Sequence, residues 1–279
     1  MDKFGLVEIF AKYLNSAFSE NAEKAVREIA ELGIDDAAAL SYLAAEFGGL
    51  DAGGADRETF MRYFPLCVKK LDAKDYISDP YYKNVRFDGK TDANCRLCTK
   101  KYNPYESFVY DDLTENFDGT IIPHIGFFDK EFYYPAVEED GKIWMTVTPN
   151  EINTMKEPVK KARGNVLTFG LGLGYFAYSC AIKSEVGSVT AVERNPAIIR
   201  LFESLILPQI PCGEKIRIVC ADAFDYISDM PKDFDFAFVD VWRDVSDGAP
   251  LYTKFKRYEN KYPETEFSYW IEKSIGFYL

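Results

Sequence analysis

Histidine is scarce in this chain, with His124 alone, and Cys95-Arg-Leu-Cys98 has no second Cys-x-x-Cys to pair with. A structural zinc takes four nitrogen or sulfur ligands. Even with Cys67 and His124 counted as candidates, two thiols in a loop and no metal is the better reading. Basic residues are also short: 33 Lys and Arg face 45 Asp and Glu, a net charge of −12. That argues against a broad footprint on DNA or RNA and leaves only a local basic groove for such a partner. No apolar run is long enough to span a bilayer. The start, Met1-Asp-Lys-Phe-Gly-Leu6, lacks the apolar core of a signal peptide. The expectation is a soluble, cytoplasmic protein, off the membrane, with its 6 cysteines reduced.

Aromatic residues, by contrast, are plentiful, with 22 Phe and 19 Tyr in 279 residues. One large domain or two smaller ones fit that length. Residues 1–75 read as a helical domain. Phe4–Leu14 is periodic, and Ser19 caps a helix running through Glu31 and closed by Gly33. Asp35–Phe47 follows, then Arg57–Leu71, ended or kinked by Pro65. Recurrent apolar faces make this a small bundle or cap, an accessory layer with a partner-binding module as the alternative.

Residues 76–150 form a second, aromatic-rich β-hairpin region. Glu131–Val137 and Lys142–Thr148 flank the turn Glu138-Glu-Asp-Gly141. Pro135 places the first of these strands at an edge. Thr148 then caps a helix to about Ala162, with Pro149 in its first turn and Glu151 completing a capping box.

The third region, 151–279, carries the chemistry. Val166–Phe169 is a short buried strand; Gly170, Gly172 and Gly174 alternate with leucines; Tyr175–Ile182 is a helix. Strand, glycine turn and helix open a nucleotide-binding βαβ unit. Glycine permits φ > 0 and close approach of a ligand to the backbone. A dinucleotide fingerprint, G-x-G-x-x-G, needs glycine where Tyr175 stands, so NAD and FAD are disfavoured. Three more strands follow, at Gly187–Glu193, Lys215–Cys220 and Phe234–Val239, each trailed by a helix or a helix start. Regular alternation means a parallel sheet with helices on both faces and ligands at the carboxyl ends of the strands.

Acids stand at those ends. Glu193 can accept both hydroxyls of a ribose. Asp222, before Ala223 and Phe224, can accept an exocyclic amine, although helix capping alone also explains it. Asp240 follows the fourth strand, two residues before Trp242. These two are the candidate substrate contacts. His124 is a candidate base, with a structural histidine the commoner role.

Together these motifs resemble the S-adenosylmethionine-binding half of the class I methyltransferases, over about residues 165–245. The resemblance implies a Rossmann-like α/β sheet and S-adenosylmethionine as cofactor. It implies binding by Phe169, Gly170, Leu171, Gly172, Gly174, Tyr175 and Phe176, by Glu193 with Arg194 and Asn195, by Asp222, Ala223 and Phe224, and by Asp240. The hairpin, the Thr-Pro-Asn-Glu helix and Ala221-Asp-Ala-Phe224 look most like the spermidine-synthase-like branch. The chain departs from polyamine aminopropyltransferases at Gly-Leu-Gly-Leu-Gly, where they carry Gly-Gly-Gly-Asp-Gly, and at Asp-Val-Trp-Arg-Asp, where they carry Asp-Ser-x-Asp-Pro. The Asn-Pro-Pro-Tyr-type motif of amino-directed nucleic-acid methyltransferases is missing. The implied activity is methyl transfer to a small-molecule or protein nucleophile. Aminopropyl transfer, or silent cofactor binding, is the alternative.

After Asp240, Pro250–Asn260 and Glu264–Lys273 read as helices, with room for at most one short strand. The sheet is then cut short at its C-terminal end, or the aromatic segment before residue 150 completes it. The cofactor's far side needs a cover, because open aromatic surface is costly in water. Ile121–Phe128 and the hairpin 131–148 are expected to supply it, with His124 and the aromatics of 127–134 as a wall. A homodimer through the same surface is the alternative.

Overall fold

The computed structural model describes residues 2–87 and 89–279. The chain forms two compact units, Met1–Tyr76 with Lys101–Tyr133, and Ile77–Lys100 with Tyr134–Leu279. The 76–150 stretch is therefore divided between two units and is not a region of its own.

In the first unit, helices span Gly5–Leu14, Glu23–Ala30, Asp36–Phe47 and Arg57–Cys67. Asp35 caps the third, its carboxylate accepting the Ala37 and Ala38 N–H groups. Ser19 is not a helix cap. Its hydroxyl donates back to the Leu14 and Ser16 carbonyls, and the helix starts at Glu23 without a side-chain cap. Past Pro65 the last helix runs only to Cys67, because Val68–Lys70 becomes a strand parallel to Ile125–Phe127. A sheet of three strands results, in the order Val68–Lys70, Ile121–Phe127, Phe108–Glu115. Ile122, Ile125 and Phe127 join Phe10, Leu40 and Phe64 in one buried cluster. That shared core is why these strands belong with the N-terminal helices.

The second unit holds the parallel sheet. Its strands are β1 (Gly164–Phe169), β2 (Val186–Glu193), β3 (Ile216–Cys220), β4 (Phe236–Val239) and β5 (Glu266–Tyr269). They lie in the order β3-β2-β1-β4-β5, and every neighbouring pair is parallel. The helices that position the site are α1 (Pro149–Lys161), α2 (Tyr175–Ala181), α3 (Pro196–Leu201), α4 (Ala223–Ser228) and α5 (Val245–Glu259). Strand β4 is buried throughout and β1 nearly so, as parallel strands covered on both faces must be.

Two expectations about this unit change. The segment 264–273 is not one helix: Glu266–Tyr269 pairs with β4, since an aromatic run beside an open strand edge gains more by satisfying that edge. The segment before residue 150 does not complete the parallel sheet. It forms a separate one, in the order Thr91–Asp92, Cys95–Tyr102, Phe132–Glu139, Lys142–Thr146. The hairpin turn forms with Asp140 and Gly141 both at positive φ, +51° and +76°. Its first strand is interior, not an edge. Toward Lys142–Thr146, Pro135 lies beyond the last paired residues, Ala136 and Thr146, and its carbonyl accepts the Val147 N–H, so no donor is needed from it on that side. No helix among the described residues is long and apolar enough to cross a membrane.

Candidate functional site

Strand β1 delivers the glycine turn. Gly170, Gly172 and Gly174 have φ of +93°, +54° and +77°. At Gly170 a Cβ would run into the Asp240 carbonyl, and at Gly174 into the Phe202 ring. Gly172 has more room, with Met145 Sδ 3.4 Å from its ideal Cβ position. Leu171 and Leu173 are buried and anchor the turn. From behind, the fully buried Tyr81 donates its hydroxyl to the Leu173 carbonyl at 2.6 Å. Tyr175 donates to Asp79 at 3.0 Å.

The turn faces a cavity of about 500 Å³, within the usual span for small-molecule sites. It opens where the strand order reverses between β1 and β4, the place where α/β sheets bind ligands. Glu193 ends β2 with its carboxylate already engaged: Oε2 accepts the Leu171 N–H at 3.2 Å and Oε1 the Asn195 N–H at 2.8 Å. Asp222 caps α4, Oδ1 accepting the Phe224 N–H at 2.8 Å, and also lines the cavity. Capping and site-lining are thus both true of it.

Asp240 leaves β4 with its N–H donated to the Phe169 carbonyl. Burial pushes its carboxyl up to about 8, with Glu151 and then Glu193 adding repulsion. Glu151 shares the cavity and is raised to about 7 by burial, against the pull of the Thr148 hydroxyl and of its own and Thr148's backbone N–H. The full capping box does not form. The Thr148 hydroxyl donates to Glu151 Oε2 at 2.8 Å and makes no cap bond to the helix backbone.

Of the expected residues, Gly170, Leu171, Gly172, Tyr175, Phe176, Glu193, Arg194, Asp222, Ala223, Phe224, Asp240 and Trp242 line this one cavity. Phe169, Gly174 and Asn195 do not, and act from behind. Phe169 packs in the core, Gly174 starts α2, and Asn195 caps α3 through the Ala197 N–H. His124 lies in the other unit, on Ile121–Phe127, with Nε2 2.9 Å from Thr114 Oγ1 and its pKa lowered by burial. Phe127, Phe128 and Phe132 are buried in that unit too. The wall expected from them is built instead by Ile143, Trp144, Met145, Thr146 and Val147. Only the second strand of the hairpin carries out the covering role.

Lining residues that the sequence does not mark as site residues include Glu151, Met155, Leu251 and Trp270. Trp270 follows β5 and donates its indole N–H to Thr154 Oγ1 at 3.0 Å. Trp242 is equally buried, but its indole N–H has no partner among the described residues. Arg243 lies over the Trp144 ring, 4.6 Å from its centroid.

A parallel sheet in this order, with a three-glycine turn after its central strand and acids after the next strands on one cavity, decides the architecture. The fold is that of the class I methyltransferases. No family model and no curated protein matches the chain. Among solved structures, spermidine synthase from Thermotoga maritima is similar at 18% identity and a TM-score of 0.34, over 48% of this chain and 49% of that one. Precorrin-6y C5,15-methyltransferase from Geobacter metallireducens is similar at 18% identity and 0.28, over 33% and 49%. The chain thus spans about half the length of each.

Proposed function

We propose that this protein is an S-adenosylmethionine-dependent methyltransferase acting on a small-molecule or protein nucleophile. The observation that carries the reading is the Glu193 carboxylate, tied to the glycine turn on one side and open to the cavity on the other. The residues present fit the cofactor. Gly170 to Phe176 form the cradle, Glu193 takes the ribose hydroxyls, and Asp222 with Ala223 takes the adenine edge. When bound, the cofactor supplies a methyl group on a sulfonium, open to in-line attack. The protein's own work is to hold a nucleophile in line, exclude water and receive a proton. Asp240, Trp242 and Glu151 are placed for that work. The turn side chains Leu171 and Leu173 are buried and apolar, so the turn offers no carboxylate to an aminopropyl group. That favours methyl over aminopropyl transfer. All six cysteines are unpaired and four are buried, which suits a reducing compartment such as the cytoplasm.

Thermal shift with S-adenosylmethionine, S-adenosylhomocysteine, decarboxylated S-adenosylmethionine and NAD tests the site. A ligand at a hundred times its Kd should stabilise by about 2.7 kcal/mol. Stabilisation by NAD alone would overturn the reading. Product formation with a panel of amines, thiols, hydroxyl compounds and nucleic acids then identifies the acceptor. Turnover of decarboxylated cofactor with a polyamine would establish the aminopropyl alternative.

A further inference from the structure

Five acids line the cavity, Glu151, Glu193, Asp222, Asp240 and Asp247, with two arginines, Arg194 and Arg243. Arg243 is seated on a platform. Its guanidinium lies over the Trp144 ring, 4.6 Å from the centroid. Asp247 fixes its backbone by accepting the Arg243 N–H at 3.1 Å. Neither neighbouring acid takes up the guanidinium. Asp247 is spent on the Arg243 and Asp244 N–H groups, and Asp244 on the N–H and hydroxyl of Ser246. Among the described residues no ion pair joins Arg243 to a carboxylate. A guanidinium stacked on a ring and free of an acid keeps its fork of N–H donors for a ligand's carboxylate. The strand ends give its place. The Gly170 N–H is donated to the Val192 carbonyl, that of Asp240 to Phe169 and that of Trp270 to Val239. Glu193, Gly170, Asp240 and Trp270 therefore stand side by side at the carboxyl ends of β2, β1, β4 and β5, with Glu193 and Asp240 two strand spacings, about 10 Å, apart. A ligand with its ribose on Glu193 would reach past Gly170 toward Asp240 and the loop that carries Arg243.

We infer that Arg243, seated on Trp144, is a carboxylate-binding site in the cavity wall. Two ligands can bring the carboxylate. S-adenosylmethionine carries one at the end of its methionyl tail, and an acceptor can carry one away from the atom that is methylated. The first source rests on the cofactor reading above; the second does not. In the first case Arg243 selects the cofactor that keeps its carboxyl over the decarboxylated form. In the second it selects and orients an acidic acceptor. The other charges leave room for an anion. Glu193, Asp222 and Asp247 accept backbone N–H groups, which offset part of their charge, and burial holds Asp240 and Glu151 above the ordinary carboxylate range. A stack made for stability alone predicts no preference for carboxylates, and the test turns on that difference.

Two measurements at high salt, where charge effects beyond contact distance are screened, test this on the full chain and on Arg243→Met. Arg243 is exposed, and methionine keeps an apolar contact with Trp144, so the variant should fold. In the first, calorimetry gives the affinities of S-adenosylmethionine and decarboxylated S-adenosylmethionine. If the cofactor's carboxylate is the one bound, wild type prefers S-adenosylmethionine, and the variant loses roughly ten- to a hundredfold of that preference. In the second, acetate and benzoate are compared with acetamide and benzamide, with and without S-adenosylhomocysteine. The chain's 3 tryptophans, Trp144, Trp242 and Trp270, all line the cavity, so their fluorescence reports on it alone. If an acceptor's carboxylate is the one bound, the acids give a saturable response that the amides do not, and Arg243→Met abolishes it. A carboxylate preference in neither measurement, or one that survives Arg243→Met, would overturn the inference. Failure of every S-adenosyl ligand to bind would overturn the cofactor reading, and the acid titration of the unliganded chain would still decide the site.

Discussion

The carboxylate of Glu193 accepts the Leu171 N–H at 3.2 Å, across the junction of β2 and the glycine turn. A second bond, from the Asn195 N–H, fixes its other oxygen. The group is held in place before any ligand arrives, so little ordering remains to be done on binding. Hydrogen bonds to a charged group contribute about 1.5–3 kcal/mol. Glu193→Ala should therefore weaken S-adenosylmethionine binding by roughly ten- to a hundredfold, and Glu193→Gln by less. Calorimetric titration checks this, and an unchanged Kd in the alanine variant would remove the ribose assignment.

The three glycines should not respond alike to alanine. Gly170 and Gly174 combine positive φ with a blocked Cβ position, against the Asp240 carbonyl and the Phe202 ring. Gly172 has only its φ of +54° and an ordinary contact with Met145. Gly170→Ala should cost more than about 3 kcal/mol and Gly172→Ala about 1–2. Urea unfolding of the two variants gives the comparison. For Gly172→Ala the larger loss should appear in cofactor affinity, because that position lines the cavity.

Tyr81 supports the turn from the side away from the cavity. Its hydroxyl is the partner of the Leu173 carbonyl, and Tyr81→Phe would leave that carbonyl bare in a buried setting. The expected loss is about 1–2 kcal/mol of stability, read from the shift in denaturant midpoint at unchanged slope. Asn84, which donates to Tyr178 at 2.6 Å nearby, makes a useful comparison.

Local physics makes the glycine turn and four of the parallel strands legible in the sequence. Positive φ at Gly170, Gly172 and Gly174 and short apolar runs between helix signals are properties of neighbouring residues. Glu151 was hidden because its pattern, Thr148-Pro-Asn-Glu151, is also that of an ordinary helix start. Its entry into the cavity depends on how α1 packs against α2, which no local pattern states. The sequence of strand β5 also suits a helix, because Phe267 to Ile271 has both aromatic β character and helical flanks. The strands Phe108–Glu115 and Ile121–Phe127 join Val68–Lys70 through pairing between distant segments, a tertiary choice that took His124 into the first unit.

The two raised carboxyls also make a prediction about stability. Burial holds Asp240 at about 8 and Glu151 at about 7, both above the ordinary carboxylate values near 4. The folded state therefore keeps protons that the unfolded chain has already released. The stability they confer is complete below about pH 4 and is lost as pH rises through about 7 and 8. Asparagine at position 240 carries no charge at any of these values, so it escapes the loss. The thermal midpoint of Asp240→Asn, taken relative to wild type, should climb between pH 5 and pH 8.5. For a chain of this size about 1 kcal/mol moves Tm by roughly 2–4 °C, so a widening of several degrees is expected. Scanning fluorimetry across that window measures it. A gap that stays constant would mean that Asp240 is already ionised in the folded protein, and that the cavity tolerates its charge.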